Sequence, residues 1–148
     1  MRIILLLALA GGAGWGGGDA VGVWKLSPGR STFAADRPPR NLTLRIERHS
    51  SGEVSTVDRT EQDGRSTTDS TVLFLDGAPR DYQDSECRGA QSSQRVDSRT
   101  VEILRTCEAG AWIRFIRRAT TDNELVLQVS HRRADGRQVE TRMVLQKR

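Results

Sequence analysis

Three basic side chains fall where an alternating strand would carry apolar ones. Arg105 follows Val101 and Ile103, Arg117 follows Ile113 and Phe115, and His131 follows Val129, each on the same parity. A guanidinium there either reaches water from the strand end or meets an anion through two charge-assisted hydrogen bonds. His49 and His131 are the only histidines, and neither has the spacing of a metal-ligand set. No G-x-S-x-G or comparable nucleophile–base pattern occurs, and the carboxylates are too evenly spread to single out a pair. The chemistry expected is binding rather than catalysis, with no cofactor and no metal.

Cys87 and Cys107 are separated by 20 residues and lie symmetrically about Asp97 in the turn-like "VDSRT". Two strands folding back at that turn would bring the sulfurs together, so a disulfide is expected. Chain-entropy models give such a loop about 3 kcal/mol. An oxidising compartment suits it, and the N-terminus points the same way. Arg2 precedes the apolar run "IILLLALA", and small residues follow. That is the layout of a Sec-type secretory signal over residues 1–20, cleaved after Ala13 or Ala20, too short to span a bilayer. Residues 21–148 would then form one domain, periplasmic or secreted from a bacterium.

A net charge of +4 with arginine as the main cation suggests anionic partners. Arg114, Arg118, Arg132 and Arg142 share the outward parity of the last three strands, with Trp112 beside them and Glu140 partly neutralising the face. The patch fits an anionic lipid surface or an acidic protein. Export argues against nucleic acid.

These side chains require strands to place them. Beyond Ala20 no stretch keeps a helical period over three turns, whereas "NLTLRIER", "TVEILRTC", "ELVLQVSH" and "QVETRMVLQK" alternate with period two. Asp63-Gly64, Asp76-Gly77 and Asp135-Gly136 are hairpin dipeptides. Ten strands are expected, near 21–26, 41–49, 53–62, 66–76, 79–83, 90–96, 100–108, 111–119, 124–132 and 138–147. Their short turns predict an all-β, antiparallel up-and-down β-barrel of eight to ten strands, closed by pairing the first strand with the last. The one long connection, 27–40, has room for a helical turn around Ser31 to Asp36 before Pro38-Pro39. In a ten-strand meander Arg105 and His131 emerge at the end away from Trp24, and Arg117 at Trp24's end.

Gly22-Val23-Trp24 in "VGVWKLSP" has the G-x-W form of the first strand of the calycins, which include lipocalins and fatty-acid-binding proteins. "GVWKLSPGRSTF", "TTDNELVLQVSHRRADGRQV" and "VLQKR" resemble a group of exported bacterial lipocalin-like proteins. The resemblance implies a calycin-like barrel whose end is plugged by Trp24, with Gly22 letting the backbone crowd beside it. It implies a basic residue of the last strand over the indole. Lys147 is the candidate, with Arg148 next, where lipocalins usually carry arginine. It also implies an interior ligand, a small hydrophobic or anionic amphiphilic molecule. Leu42, Leu44, Ile46, Ile103, Phe115, Leu127, Val129 and Met143 would line its cavity, with Arg105 or His131 at the mouth. The competing expectations are a periplasmic protein-binding domain, such as a protease inhibitor of the small disulfide-bonded barrel type using segment 27–40 or the N-terminal tail, and a stability domain with no ligand.

Overall fold

The computed structural model describes residues 20–33 and 37–148. The expected signal segment 1–19 lies outside the described residues, as do 34–36. Among the described residues eleven strands follow in order: β1 (Gly22–Leu26), β2 (Thr32–Phe33), β3 (Asn41–His49), β4 (Gly52–Thr60), β5 (Ser66–Leu73), β6 (Arg80–Gln83), β7 (Arg88–Asp97), β8 (Thr100–Cys107), β9 (Trp112–Thr121), β10 (Glu124–Arg132) and β11 (Gln138–Lys147). Ten of them overlap the ten strands that alternation predicts. All the pairings are antiparallel, and the path through the sheet runs β5-β4-β3-β1-β11-β10-β9-β8-β7-β6.

The turns explain much of this connectivity. At Asp63, Asp76, Asp84, Asp97 and Asp135 a side-chain oxygen accepts the backbone N–H two residues on, at 2.8–3.0 Å. Each such Asx turn fixes the reversal locally, before any strand has paired. Asp63 and Asp135 are followed at the same spacing by Arg65 and Arg137, which fold back on the carboxylates.

Two expectations need correction. By sequence the long connection has room for a helical turn around Ser31 to Asp36, of which 34–36 lie outside the described residues. Its 3₁₀ turn is instead Pro28–Arg30, and Thr32–Phe33 is extended. Proline at the first helical position starts the turn one step after β1. β1 and β2 then act as one interrupted strand along β11. Leu26 pairs with Leu145, Ser27 N–H donates to the Val144 oxygen, Ser31 Oγ accepts the Val144 N–H, and Thr32 resumes opposite Arg142. The bulge lies on the outer face, where Arg30 reaches Glu124 at 2.7 Å. Val126 and Val144, which pair with each other on that outward parity, are buried.

The second correction concerns closure. First and last strands do pair, through Trp24↔Lys147 and Leu26↔Leu145. The opening lies elsewhere, because β5 and β6 end the path without pairing. Beyond β5 the chain crosses to β7: Leu75 N–H donates to Ser93 Oγ, Gly77 N–H donates to the Ser93 oxygen, and Asp76 bridges to Gln94. Leu75 makes that crossing in the left-handed region at φ 59. A non-glycine residue there costs about 1–3 kcal/mol, which the two Ser93 bonds help to hold. The seam is therefore stitched near Leu75 and open along Ser66–Thr71.

Trp24 is 1% exposed and joins Leu26, Leu42, Leu44, Ile46, Leu125, Met143 and Leu145 in the main core. Its indole N–H donates to the Ala20 oxygen at 2.8 Å, and Lys147 Nζ stands 5.7 Å from the ring centroid. Gly22 has φ +144, and a Cβ there would lie 2.9 Å from Lys147 Cε. Glycine is needed both for that backbone geometry and for the lysine to cross it.

Candidate functional site

The strand pairings divide the inner face in two. Strands β1, β3, β9, β10 and β11 send in apolar side chains with few exceptions. Strands β4, β5 and β7 contribute Glu53, Ser55, Arg59, Thr67, Asp69, Thr71, Gln91, Ser93 and Arg95 on the same inward parity. Alternation of apolar and polar residues cannot reveal an inward face that is itself polar. That is why these positions were missed.

The eight residues expected to line a cavity separate by depth. Leu42, Leu44, Ile46, Ile103 and Met143 are buried, all but Ile103 in the cluster around Trp24, so they form packed core rather than a ligand wall. Phe115, Leu127 and Val129 also point inward but remain half-buried, as does Val57. Val57, Leu127 and Val129 pack against the Trp24 cluster, and Phe115 packs against Leu73, Val101 and Ile103, so their solvent-reached sides border the half of the barrel away from Trp24. At the seam a cleft of about 240 Å³ is lined by residues including Thr71, Phe74, Arg80, Tyr82, Gln91 and Ser93.

Arg105 is held in that half. Its Nε donates to Gln91 Oε1 at 2.9 Å, and Gln91 Nε2 donates across the seam to Thr71 Oγ1 at 3.0 Å. The guanidinium carbon stands 4.3 Å from the Tyr82 ring centroid and 4.8 Å from that of Phe115. Both contacts are cation–π in type. Nη1 is 3.6 Å from Asp84 Oδ2, an ion pair too long for a hydrogen bond. Neither terminal nitrogen donates a hydrogen bond among the described residues.

Asp84 is itself fixed. Oδ1 accepts the N–H groups of Glu86 and Cys87 at 2.8 and 2.7 Å, and Oδ2 accepts the Tyr82 hydroxyl at 2.6 Å. Burial pushes its pKa up, but the Tyr82 hydroxyl, the two N–H groups and Arg105 outweigh it and hold the carboxyl below the ordinary aspartate value. Burial, then the bond to Asp84, pushes the Tyr82 phenol far above its usual range. The Cys87–Cys107 disulfide ties this loop to β8, two residues past Arg105. Gly89 lets the strands close up there, since a Cβ would meet the Thr106 oxygen at 1.9 Å.

His131 faces in near the same rim but belongs to no such network. Ile113 pairs with both Arg105 and His131, so the two lie two strands, about 10 Å, apart. Arg117 is placed differently again. It is 3% exposed at the Trp24 end, where its Nη2 donates to Glu53 Oε2 at 2.7 Å, and Arg95 approaches Glu53 Oε1 at 3.4 Å. Its Nη1 is buried with no hydrogen-bond partner among the described residues. This guanidinium is an internal strut and does not snorkel.

The outward arginines do not form a continuous patch. Arg114, Arg118, Arg132 and Arg142 sit at different levels of the β9–β11 pairing, among Gln128, Ser130 and Val126. Arg114 is paired with Glu102 at 3.0 Å. Of segment 27–40, considered above as a binding arm, Ser27, Ser31, Thr32 and Phe33 are bonded to or paired with β11.

No family model and no curated protein matches this chain. Solved structures do. A fatty acid binding protein of Schistosoma mansoni, in complex with arachidonic acid, is similar at 10% identity over 86% of this chain and 95% of that one, with a TM-score of 0.59. The fluorescent protein UnaG is similar at 15% identity over 84% and 94%, with a TM-score of 0.56. At such identities the likeness is one of fold, and it is consistent over nearly the full length of both. The chain is an all-β antiparallel barrel that shares its fold with these proteins.

Proposed function

We propose that the protein binds a small amphiphile in the lumen, its tail against Phe115, Leu127 and Val129 and its polar head at Arg105. One observation carries this reading. A guanidinium whose terminal nitrogens donate no hydrogen bond among the described residues stands beside the inward, half-buried Phe115. Burial of a tail contributes about 0.8 kcal/mol per CH₂, and a head bonded to Arg105 orients it. The similarity to a barrel solved with arachidonic acid supports an interior ligand. On this reading the protein is exported, as its N-terminal segment suggests, and acts in an oxidising compartment where the disulfide persists.

Native mass spectrometry of the protein expressed with its leader, together with titration by a series of dodecyl amphiphiles, tests the reading. Retained lipid, or saturable binding that Leu127→Arg abolishes while the circular dichroism stays unchanged, is the expected result. Absence of both retained lipid and saturable binding across the whole series overturns it.

A further inference from the structure

The groups around Arg105 fit a particular kind of head. Asp84 Oδ2 stands 3.6 Å from the guanidinium, and Asp69 faces the same half of the lumen from β5, close enough to act on the Tyr82 phenol. Arg59, also inward at that end, is paired with Glu61. A free carboxylate entering to meet Arg105 would therefore approach two carboxylates as well. The cost is greatest at Asp84, which is partly buried and so screened little by salt.

We propose that the site selects a zwitterionic head group, its anionic part on the terminal nitrogens of Arg105 and its cationic part against Asp84, with Asp84 the residue that sets this specificity. The assignment rests on the amphiphile-binding reading and goes beyond it. Three features make it specific. Asp84 is not mobile enough to swing aside, because both its oxygens are engaged by Tyr82, Glu86 and Cys87. Its separation from Arg105 is too long for a closed salt bridge and leaves both groups able to take an outside partner. The Tyr82 ring, already over Arg105, adds an aromatic face in the same cluster. The adjoining seam cleft shares Tyr82 and Gln91 with the cluster, so the head has space beside it. The disulfide holds the loop that carries Asp84, and it is thereby part of the recognition as well as of the fold.

Dodecylphosphocholine, laurate and dodecyltrimethylammonium, each titrated below its micellar concentration by calorimetry, share one tail length and differ in head. The native protein is expected to bind dodecylphosphocholine at least about tenfold more tightly than laurate, the size of one charge-assisted contact. Asp84→Asn keeps the shape of the side chain and is expected to raise laurate affinity and lower that of dodecylphosphocholine, reversing the order. Adding Arg105→Gln to Asp84→Asn should remove the laurate gain. Laurate preferred by the native protein, or an order unmoved by Asp84→Asn, overturns the inference while leaving the amphiphile reading intact. Failure of all three probes to bind instead removes the reading beneath it.

Discussion

Glu53 of β4 and Arg117 of β9 meet at 2.7 Å inside the barrel, although five strand-to-strand steps separate them in the sheet. Arg95 of β7 comes to the other oxygen of the same carboxylate. The contact ties opposite walls together near the end plugged by Trp24, on the side where no hydrogen-bonded ladder joins β5 to β6.

Removing one partner of this strut should cost far more than removing both. Glu53→Gln leaves Arg117 buried without its counter-charge and is expected to destabilise by about 3–5 kcal/mol. Glu53→Met combined with Arg117→Met should recover most of that loss. Urea unfolding followed by tryptophan fluorescence reads both. Equal losses in the single and the double variant would show that the pair does not act as a strut.

The disulfide is expected to contribute about 3 kcal/mol. The Cys87→Ser, Cys107→Ser variant should unfold at correspondingly lower urea with an unchanged far-ultraviolet spectrum, because the β7–β8 ladder is continuous from Gly89↔Cys107 to Arg95↔Val101 without it. Loss of the spectrum would mean that the covalent tie is needed for the barrel to form.

Stability should fall below about pH 4. The carboxyls of Asp63, Asp97 and Asp135 are held below the ordinary value chiefly by the backbone N–H two residues on, and that of Asp76 chiefly by the Arg80 guanidinium. Asp84 joins them despite its burial. A carboxyl whose pKa is depressed on folding stabilises the fold above its unfolded value, about 3.9, and that contribution is lost as pH drops through the folded value. Urea midpoints measured from pH 7 to pH 2 should decline mainly below pH 4, and less so when Asp76 and Asp97 are both replaced by Asn. A flat profile would contradict the role given to the turns.

Ala20 belongs to the folded domain. It is 3% exposed, and its oxygen accepts the Trp24 indole N–H. On the export reading, processing after Ala13 keeps that acceptor and processing after Ala20 removes it. N-terminal sequencing of the mature protein is expected to begin at Gly14. A start at Val21 would mean that the plug forms without this bond. Trp24→Ala should cost about 3–5 kcal/mol, the range for emptying a buried aromatic site.

The sequence by itself determined the strands and the way they reverse, because both are local. Alternation such as Leu42, Leu44 and Ile46 against Thr43, Arg45 and Glu47 shows which face is buried, and aspartate sets the turns within three or four residues. The cysteine pair and the pairing of first strand with last were legible for a related reason: a meander of even strand number leaves few other arrangements. The tertiary structure alone decided what the interior is made of. Glu53, Asp84, Gln91 and Arg95 lie on strands or loops whose inward side is polar, so no hydrophobic period marks them. Their partners are up to 64 residues away. The open seam was equally hidden, since β5 and β6, each paired on one side only, carry the same local pattern as strands paired on both. Only the crossing of Leu75 to Ser93 shows that the ladder stops there. Local chemistry writes the elements, whereas the meeting of distant polar groups inside the barrel depends on how all of them close together.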